Sequence, residues 1–361
     1  MTRAEIISAV RSNFCGIVDT TLREGEQFAG KGYYNNQGET VFSPAEFTPQ
    51  QGIDILSMLK YIGVEYAEIP NPLAPGMDEY IRHLTHQSHR PLLLSHIRNR
   101  TQDLQAAQAV GVDGVNFLTT VDEARLQQMH VNLPEYLDQL RANIFQAQEA
   151  NLETRVSVEH TSDADLEKTM QVYRLADSMK VNRIGIADTR GIWTHWEVAE
   201  IVKNLAREIK YSKIEVHFHN DFLSAIANSV EALVNGASWT DTTLGGFGER
   251  TGITPLSVLL ARLHQLHPDL VKQYNLSLLK DAEMYVANAL GADLPVNIIT
   301  APNAFAHKAG IHINGVIHIG PSLYEPIDPS ILGNHRHLRT NTRISGKTTN
   351  DQATAFLSQN Q

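Results

Sequence analysis

Short runs of β-branched and aliphatic residues recur along the chain, each followed by a longer stretch whose apolar positions return every three or four residues. Strand side chains alternate faces and helix side chains repeat at about 3.6 residues, so this pattern predicts strand–helix units around a parallel sheet. Eight such runs stand out: FCGIVDTT (14–21), VEYAEIP (64–70), PLLLSHIR (91–98), GVNFLTT (114–120), RVSVEHT (155–161), RIGIADT (183–189), IEVHFHND (214–221) and SWTDTTLGG (238–246). Between them lie helical patterns such as PQQGIDILSMLKYIG, LEKTMQVYRLADSMK and LSAIANSVEALVNG, several of them closing on the glycine expected just past a helix. Eight units within about 250 residues predict an α/β fold, a (β/α)₈ TIM barrel.

The polar positions support closure. Most runs end in charged or hydrogen-bonding residues: Asp19 with Arg23 and Glu24, Glu68, His96 with Arg98, Asn116, Arg155 with Ser157 and Glu159, Asp188 with Thr189, then His217 and His219. A barrel gathers the C-terminal ends of all its strands at one mouth, whereas an open doubly wound sheet concentrates ligands at a single crevice. After residue 262 the rhythm stops. We therefore expect a catalytic barrel over 1–262 and a smaller helical C-terminal subdomain over 263–361, with TTNDQATAFLSQNQ (348–361) as a short terminal helix.

Composition narrows the class. The chain has 361 residues, 42% hydrophobic and 19% charged, enough for a large core. Its single cysteine, Cys15, placed by the pattern in strand one, excludes an internal disulfide framework and a cysteine-based zinc finger. A formal charge of −10 argues against a nucleic-acid partner. The start, MTRAEIISAVRSNF, has no long apolar core, and no later run approaches the ~20 apolar residues of a membrane span, so a cytoplasmic protein without membrane contact is expected.

The chemistry begins at VHFHND (216–221). On a strand, His217 and His219 point one way while Val216 and Phe218 point the other, so two imidazoles, half of a tetrahedral metal shell, share a face. A third ligand is available in DTTLREGEQFAG (19–30), which packs Asp19, Arg23, Glu24, Glu26 and Gln27 just past strand one. In a closed eight-stranded barrel only one strand separates the first from the seventh, so a carboxylate there can reach a metal held by the histidines.

These two segments, with GFGERTGITPL (246–256) and AFAHKAGIHINGV (304–316), resemble in order the motifs of the metal-dependent acyltransferases of the homocitrate and isopropylmalate synthase group, over nearly the whole chain. The resemblance implies that Glu24, His217 and His219 hold a divalent metal (zinc, manganese, magnesium or cobalt), with Arg23 beside them contacting a substrate ketone. Such a shell leaves positions where a 2-oxo acid chelates, and Arg23 can stabilise the developing oxyanion. The carbon nucleophile would be the methyl of acetyl-CoA, a weak acid that needs a base. By resemblance the base is His307, reaching the active site of a partner subunit in a homodimer, with Glu159 and Tyr324 as competing or assisting groups.

For the 2-oxo acid the signals diverge. Arg155, Ser157 and Glu159 alternate onto one face, and an arginine inside a barrel mouth calls for an anion. In the family, arginine and serine here, with a threonine matched by Thr189, go with the distal carboxylate of 2-oxoglutarate, giving homocitrate. Phe247 stands where isopropylmalate synthases tend to carry asparagine. Gln27, Glu68 and His96 complete the expected substrate-facing set. Two departures weigh against homocitrate: Asn116 replaces a usual acidic residue, and the segment 30–50 is long and aromatic, so that Tyr33, Tyr34 and Phe42 could receive phenylpyruvate and make the enzyme a 2-benzylmalate or other alkylmalate synthase. The chain ends before the regulatory domain that isopropylmalate synthases often carry, so feedback through one is not expected. A carbon–carbon lyase on the same barrel and a non-catalytic metal-binding barrel remain as readings from other classes.

Overall fold

The structure, a computed structural model, describes residues 1–42, 45–340 and 350–359. All eight runs form strands: β1 (Gly16–Asp19), β2 (Tyr66–Ile69), β3 (Leu92–Arg98), β4 (Gly114–Thr119), β5 (Glu153–Val158), β6 (Arg183–Asp188), β7 (Lys213–Phe218) and β8 (Trp239–Thr242). Each pairs in parallel with its sequence neighbours and β1 pairs with β8, closing the barrel. Strand β8 alone separates β1 from β7, as the reach of a strand-one carboxylate to the histidines requires.

Helices follow each strand, from Pro49–Ile62 after β2's predecessor to Leu256–Leu266 after β8. Their boundaries follow local chemistry. Thr48, Asn132 and Thr194 each close a capping box with the side chain three residues on, satisfying orphan N–H groups, and Gly63 ends its helix at φ 103°, where a side chain would be strained. Outward-facing Val156, Val158, Ile184, Ile186, Val216 and Phe218 are buried in the layer between sheet and helices. The interior is different: it holds Arg155, Arg183, Glu68, Glu215 and Asp241 where branched aliphatic layers are usual. Gly185 makes room, since a Cβ there would sit 2.1 Å from Ser157 Oγ and 2.8 Å from Arg155 Nε.

Several features escaped the pattern. Helix Arg3–Asn13 precedes the barrel with its own Thr2 capping box. The aromatic insertion is an antiparallel hairpin, Gly32–Tyr34 with Thr40–Phe42. The C-terminal region has helices Leu279–Ala289, Gly310–His318 and Asn350–Gln359, and also a small parallel sheet, Ala306–His307 with His337–Leu338. Cys15 sits just before β1 and is exposed, not inside the strand.

Candidate metal centre and active site

Strand β1 ends at Asp19, and the chain turns at once into the short helix Thr21–Glu24, which lays Arg23 and Glu24 over the barrel mouth. Strand β7 delivers His217, and the bridge between His219 and Ile253 holds the next residue of the same face. One ligand atom from each of Glu24, His217 and His219 lies within 4.8 Å of the others, and all three residues are buried. His217 Nε2 is 3.3 Å from His219 Nε2 and 3.6 Å from Glu24 Oε1.

Protonation shows what this cluster suits. Asp241 Oδ2 lies 3.0 Å from His217 Nδ1 and can only accept, so the ring proton sits on Nδ1 and the Nε2 lone pair faces the Glu24 carboxylate. Two acceptors pointing at each other repel. Burial depresses His219 to about 3, so its ring is neutral, and its Nδ1 is buried without a hydrogen-bond partner. Burial alone would raise the Glu24 carboxyl, but the Arg23 guanidinium beside it outweighs burial and holds it at about 2. Converging lone pairs beside a carboxylate fit a divalent cation.

Gly248 allows the segment 246–256 to close over this centre. Its Cβ would lie 2.7 Å from Glu24 Oε2, while the next N–H, of Glu249, donates to that oxygen at 3.1 Å. Arg250 ties the same loop to the end of β7 through two 2.8 Å hydrogen bonds to Asp221.

Arg23 donates from Nε to Glu68 at 2.5 Å and from Nη1 to Glu24 at 2.6 Å and Gln27 at 3.5 Å, leaving Nη2 without a protein partner among the described residues. Glu68 also meets His96 at 3.2 Å, and Asn116 donates to it at 2.7 Å while accepting from Ser157 at 2.8 Å. An acidic residue at 116 would face the Glu68 carboxylate, so the amide suits this network. Burial opposes the charge on Glu68, but Arg23, His96 and Arg155 hold its pKa well below the usual range.

Other expected residues are placed differently. Arg155 is not a mouth residue awaiting an external anion: it lies deep in β5, paired to Glu215 at 2.5 Å and Asp241 at 3.0 Å, because the barrel supplies its own carboxylates. Glu159, expected on the same face, lies elsewhere. That carboxylate meets Arg125 at 3.0 Å in a cavity of about 370 Å³ lined also by Arg98, Arg100 and Tyr136. The Thr189 hydroxyl accepts from the His160 N–H at 2.9 Å. His307 and Tyr324 lie in the C-terminal region, where their side-chain partners are Glu325 and His312. Phe247 packs on Phe28, centroids 5.4 Å apart. Tyr34 and Phe42 are exposed on the hairpin, 80% and 54%, and the side chain of Tyr33 lies outside the described residues.

Asp241, which fixes the His217 tautomer, was missed from the sequence. An aspartate on the same face as Trp239, flanked by the β-branched threonines of β8, was the available signal.

Residues 15–286 match the family described as HMGL-like, and residues 299–358 match the homocitrate synthase post-HMGL domain-like family. The cytosolic homocitrate synthase isozyme of Saccharomyces cerevisiae is 35% identical over 91% of this chain and 74% of its own length. The mitochondrial enzyme of Schizosaccharomyces pombe is 34% identical over 93% and 78%, and the homocitrate synthase of Pyrococcus abyssi 30% over 92% and 88%. Among solved structures, the HMG-CoA lyase of Bacillus subtilis superimposes with a TM-score of 0.67 at 19% identity, covering 79% of this chain and 96% of that one, which is a likeness of fold. With a barrel that carries the cation-ready cluster and matches over most of its length to these synthases, the chain belongs to the homocitrate synthase branch of the HMGL-like family.

Proposed function

We propose that this protein is an acyltransferase that condenses acetyl-CoA with 2-oxoglutarate to give homocitrate, and that Glu24, His217 and His219 hold its divalent metal. The observation that carries the reading is the convergence of these three side chains beside Arg23, in a chain of this family. A bound divalent ion would supply a Lewis acid toward the ketone of the 2-oxo acid.

The chain's own groups do the rest. Arg23 Nη2 donates to the ketone oxygen as it gains charge. A base takes a proton from the acetyl methyl, the resulting carbon attacks the ketone carbon, the former ketone oxygen is protonated to a hydroxyl, and water then cleaves the thioester to release the CoA thiol. His307 is that base, with Tyr324 and Glu159 assisting. Among the arginines lining the cavity beside Glu159, Arg98 is paired to Asp103 and Arg125 to Glu159, so Arg100 is the guanidinium available to a dicarboxylate.

His307 acts on the barrel of a second subunit. It lies outside the βα units, and Ile311 and Ile319, 73% and 75% exposed on the same segment, are apolar surface suited to a second copy. Among the described residues no helix is long and apolar enough to cross a membrane. The cytoplasm remains the compartment read from composition, and an exposed free thiol at Cys15 suits a reducing environment.

Thiol release from acetyl-CoA, measured across a panel of 2-oxo acids, tests the reading. Release specific to 2-oxoglutarate is expected. Release with phenylpyruvate alone would make it an alkylmalate synthase, and no release with any acceptor, despite bound metal, would leave a non-catalytic barrel.

A further inference from the structure

The segment 246–252 leaves the barrel wall and returns to it at almost the same point. A Cβ on Gly252 would sit 1.7 Å from the Gly246 carbonyl oxygen, and the two glycines take φ of 76° and 73°, where a side chain would be strained. The returning foot is pinned by the Asn220 N–H, which donates to the Gly252 carbonyl at 2.9 Å, and by the bridge between His219 and Ile253. Between the feet, the Glu249 N–H occupies Glu24 Oε2, while Oε1, 3.6 Å from His217 Nε2, is the oxygen turned to the histidines. One backbone N–H therefore sets how the carboxylate is presented, and its place depends on what holds the loop down.

Arg250 holds it. Its backbone sits at φ 56°, a left-handed conformation that a residue with a Cβ adopts at a cost, so something must offset that cost. Nε and Nη2 donate to the two oxygens of Asp221, each at 2.8 Å, and Nη2 donates also to the Thr189 carbonyl at 2.7 Å. Asp221 lies two residues past His219, and Gly191, at φ 62°, lets the turn after β6 close on it, since a Cβ there would meet Asp221 Oδ2 at 2.8 Å. The guanidinium thus joins the ends of β6, β7 and β8. An ordinary surface ion pair contributes little, but this one is bidentate, carries a third hydrogen bond to a carbonyl and holds a strained residue. With side chains 39% and 20% exposed, it can open to solvent without disturbing the barrel.

We propose that the contact between Arg250 and Asp221 is a latch that keeps the loop closed over the proposed metal centre, so that these two positioning residues, acting through the Glu249 N–H on Glu24, set how fast a bound ion leaves. This rests on the reading of Glu24, His217 and His219 as metal ligands. With the latch closed, Glu24 Oε2 is tied to the loop and the carboxylate cannot turn away from the histidines. With it open, the N–H withdraws, the carboxylate is free to rotate, and water reaches the ligand from the side that Gly248 now covers. Groups that orient a metal ligand typically contribute 10–100-fold to metal affinity, and the latch governs one such hydrogen bond.

The test follows release of Zn²⁺ from the loaded full-length protein to an excess of a colorimetric chelator. Arg250→Ala and Asp221→Ala should each speed release about 10-fold. The double variant should release no faster than either single one, because both substitutions remove the same contact, and Arg250→Lys, which keeps the charge without the fork, should fall between wild type and Arg250→Ala. A second readout needs no metal: in chelator-treated protein, hydrogen exchange of the segment 246–252 should quicken in Arg250→Ala while the barrel strands keep their protection. Release at the wild-type rate in Arg250→Ala, or additive effects in the double variant, would overturn the latch. So would faster release accompanied by lost protection across the strands, since the substitution would then act on the fold as a whole. If His219→Ala holds Zn²⁺ as wild type does, the metal assignment fails instead, and the exchange of 246–252 still reports whether Arg250 holds the loop.

Discussion

Arg155 grips Asp241 with both terminal nitrogens, at 3.1 Å and 3.0 Å, inside the barrel. The same aspartate accepts from His217 at 3.0 Å, so a structural ion pair and the proposed metal centre share one carboxylate. Glu215 and Glu68 complete the ring of carboxyl groups around the guanidinium.

This arrangement changes what Arg155→Ala should do. Removing one partner of a buried ion pair typically costs ~3–5 kcal/mol, because the remaining charges lose their counterion in a poorly solvated site. We expect a clear fall in the thermal midpoint, with a loss of activity toward all 2-oxo acids alike. An unchanged midpoint with a raised KM for 2-oxoglutarate alone would mean that the guanidinium leaves its carboxylates to meet the substrate.

Asp241→Asn probes the other half of the relationship. Groups that orient a metal-bound histidine typically contribute 10–100-fold to metal affinity, and an amide can present the wrong atom to His217 Nδ1. Metal titration of the variant should show affinity weaker by about that factor. Equal affinity would leave Asp241 with the ion pair alone.

A third expectation concerns pH. Burial, helped by Glu283 and Asp241 against the hydrogen bonds from Thr21, raises the Asp19 carboxyl to about 7. Unfolded, it titrates near 3.9, so between about 4 and 7 the folded state binds more protons and stability falls as pH rises. Asp19→Asn removes this dependence: its thermal midpoint should match wild type near pH 4 and exceed it by a few degrees at pH 8, read on chelator-treated protein. Glu26, raised by burial to about 7, acts in the same direction and leaves part of the slope in the variant. Identical slopes in both proteins would show that Asp19 is ionised in the fold.

Much of this was legible because local chemistry and global fold agree. Alternation alone placed all eight strands and put His217 and His219 on one face, and closure brought Glu24 to them. Depth was not legible. Period two places Arg155 and Glu159 on the same face but does not tell which lies at the mouth and which among the carboxylates of neighbouring strands, because that depends on the stagger between strands. Asp241 was overlooked for a related reason, since its partners Arg155 and His217 lie on β5 and β7. The ion pair between Arg336 and Glu325, 2.6 Å apart, spans turns and the short 3₁₀ helix Pro329–Leu332, with no period to read.

The dimer is the remaining expectation, and complementation decides it. His219→Ala should remove a metal ligand and His307→Ala the base, so each homodimer should be inactive. If the base serves the neighbouring barrel, a mixed dimer has one site missing both groups and one site intact. After random exchange half of the dimers are mixed and each carries one working site of two, so roughly a quarter of wild-type activity should return. The same arithmetic gives none if His307 serves its own barrel, because every site then lacks one group. Recovery absent after exchange, verified by tagging one variant and isolating the mixed species, would place the base within its own subunit.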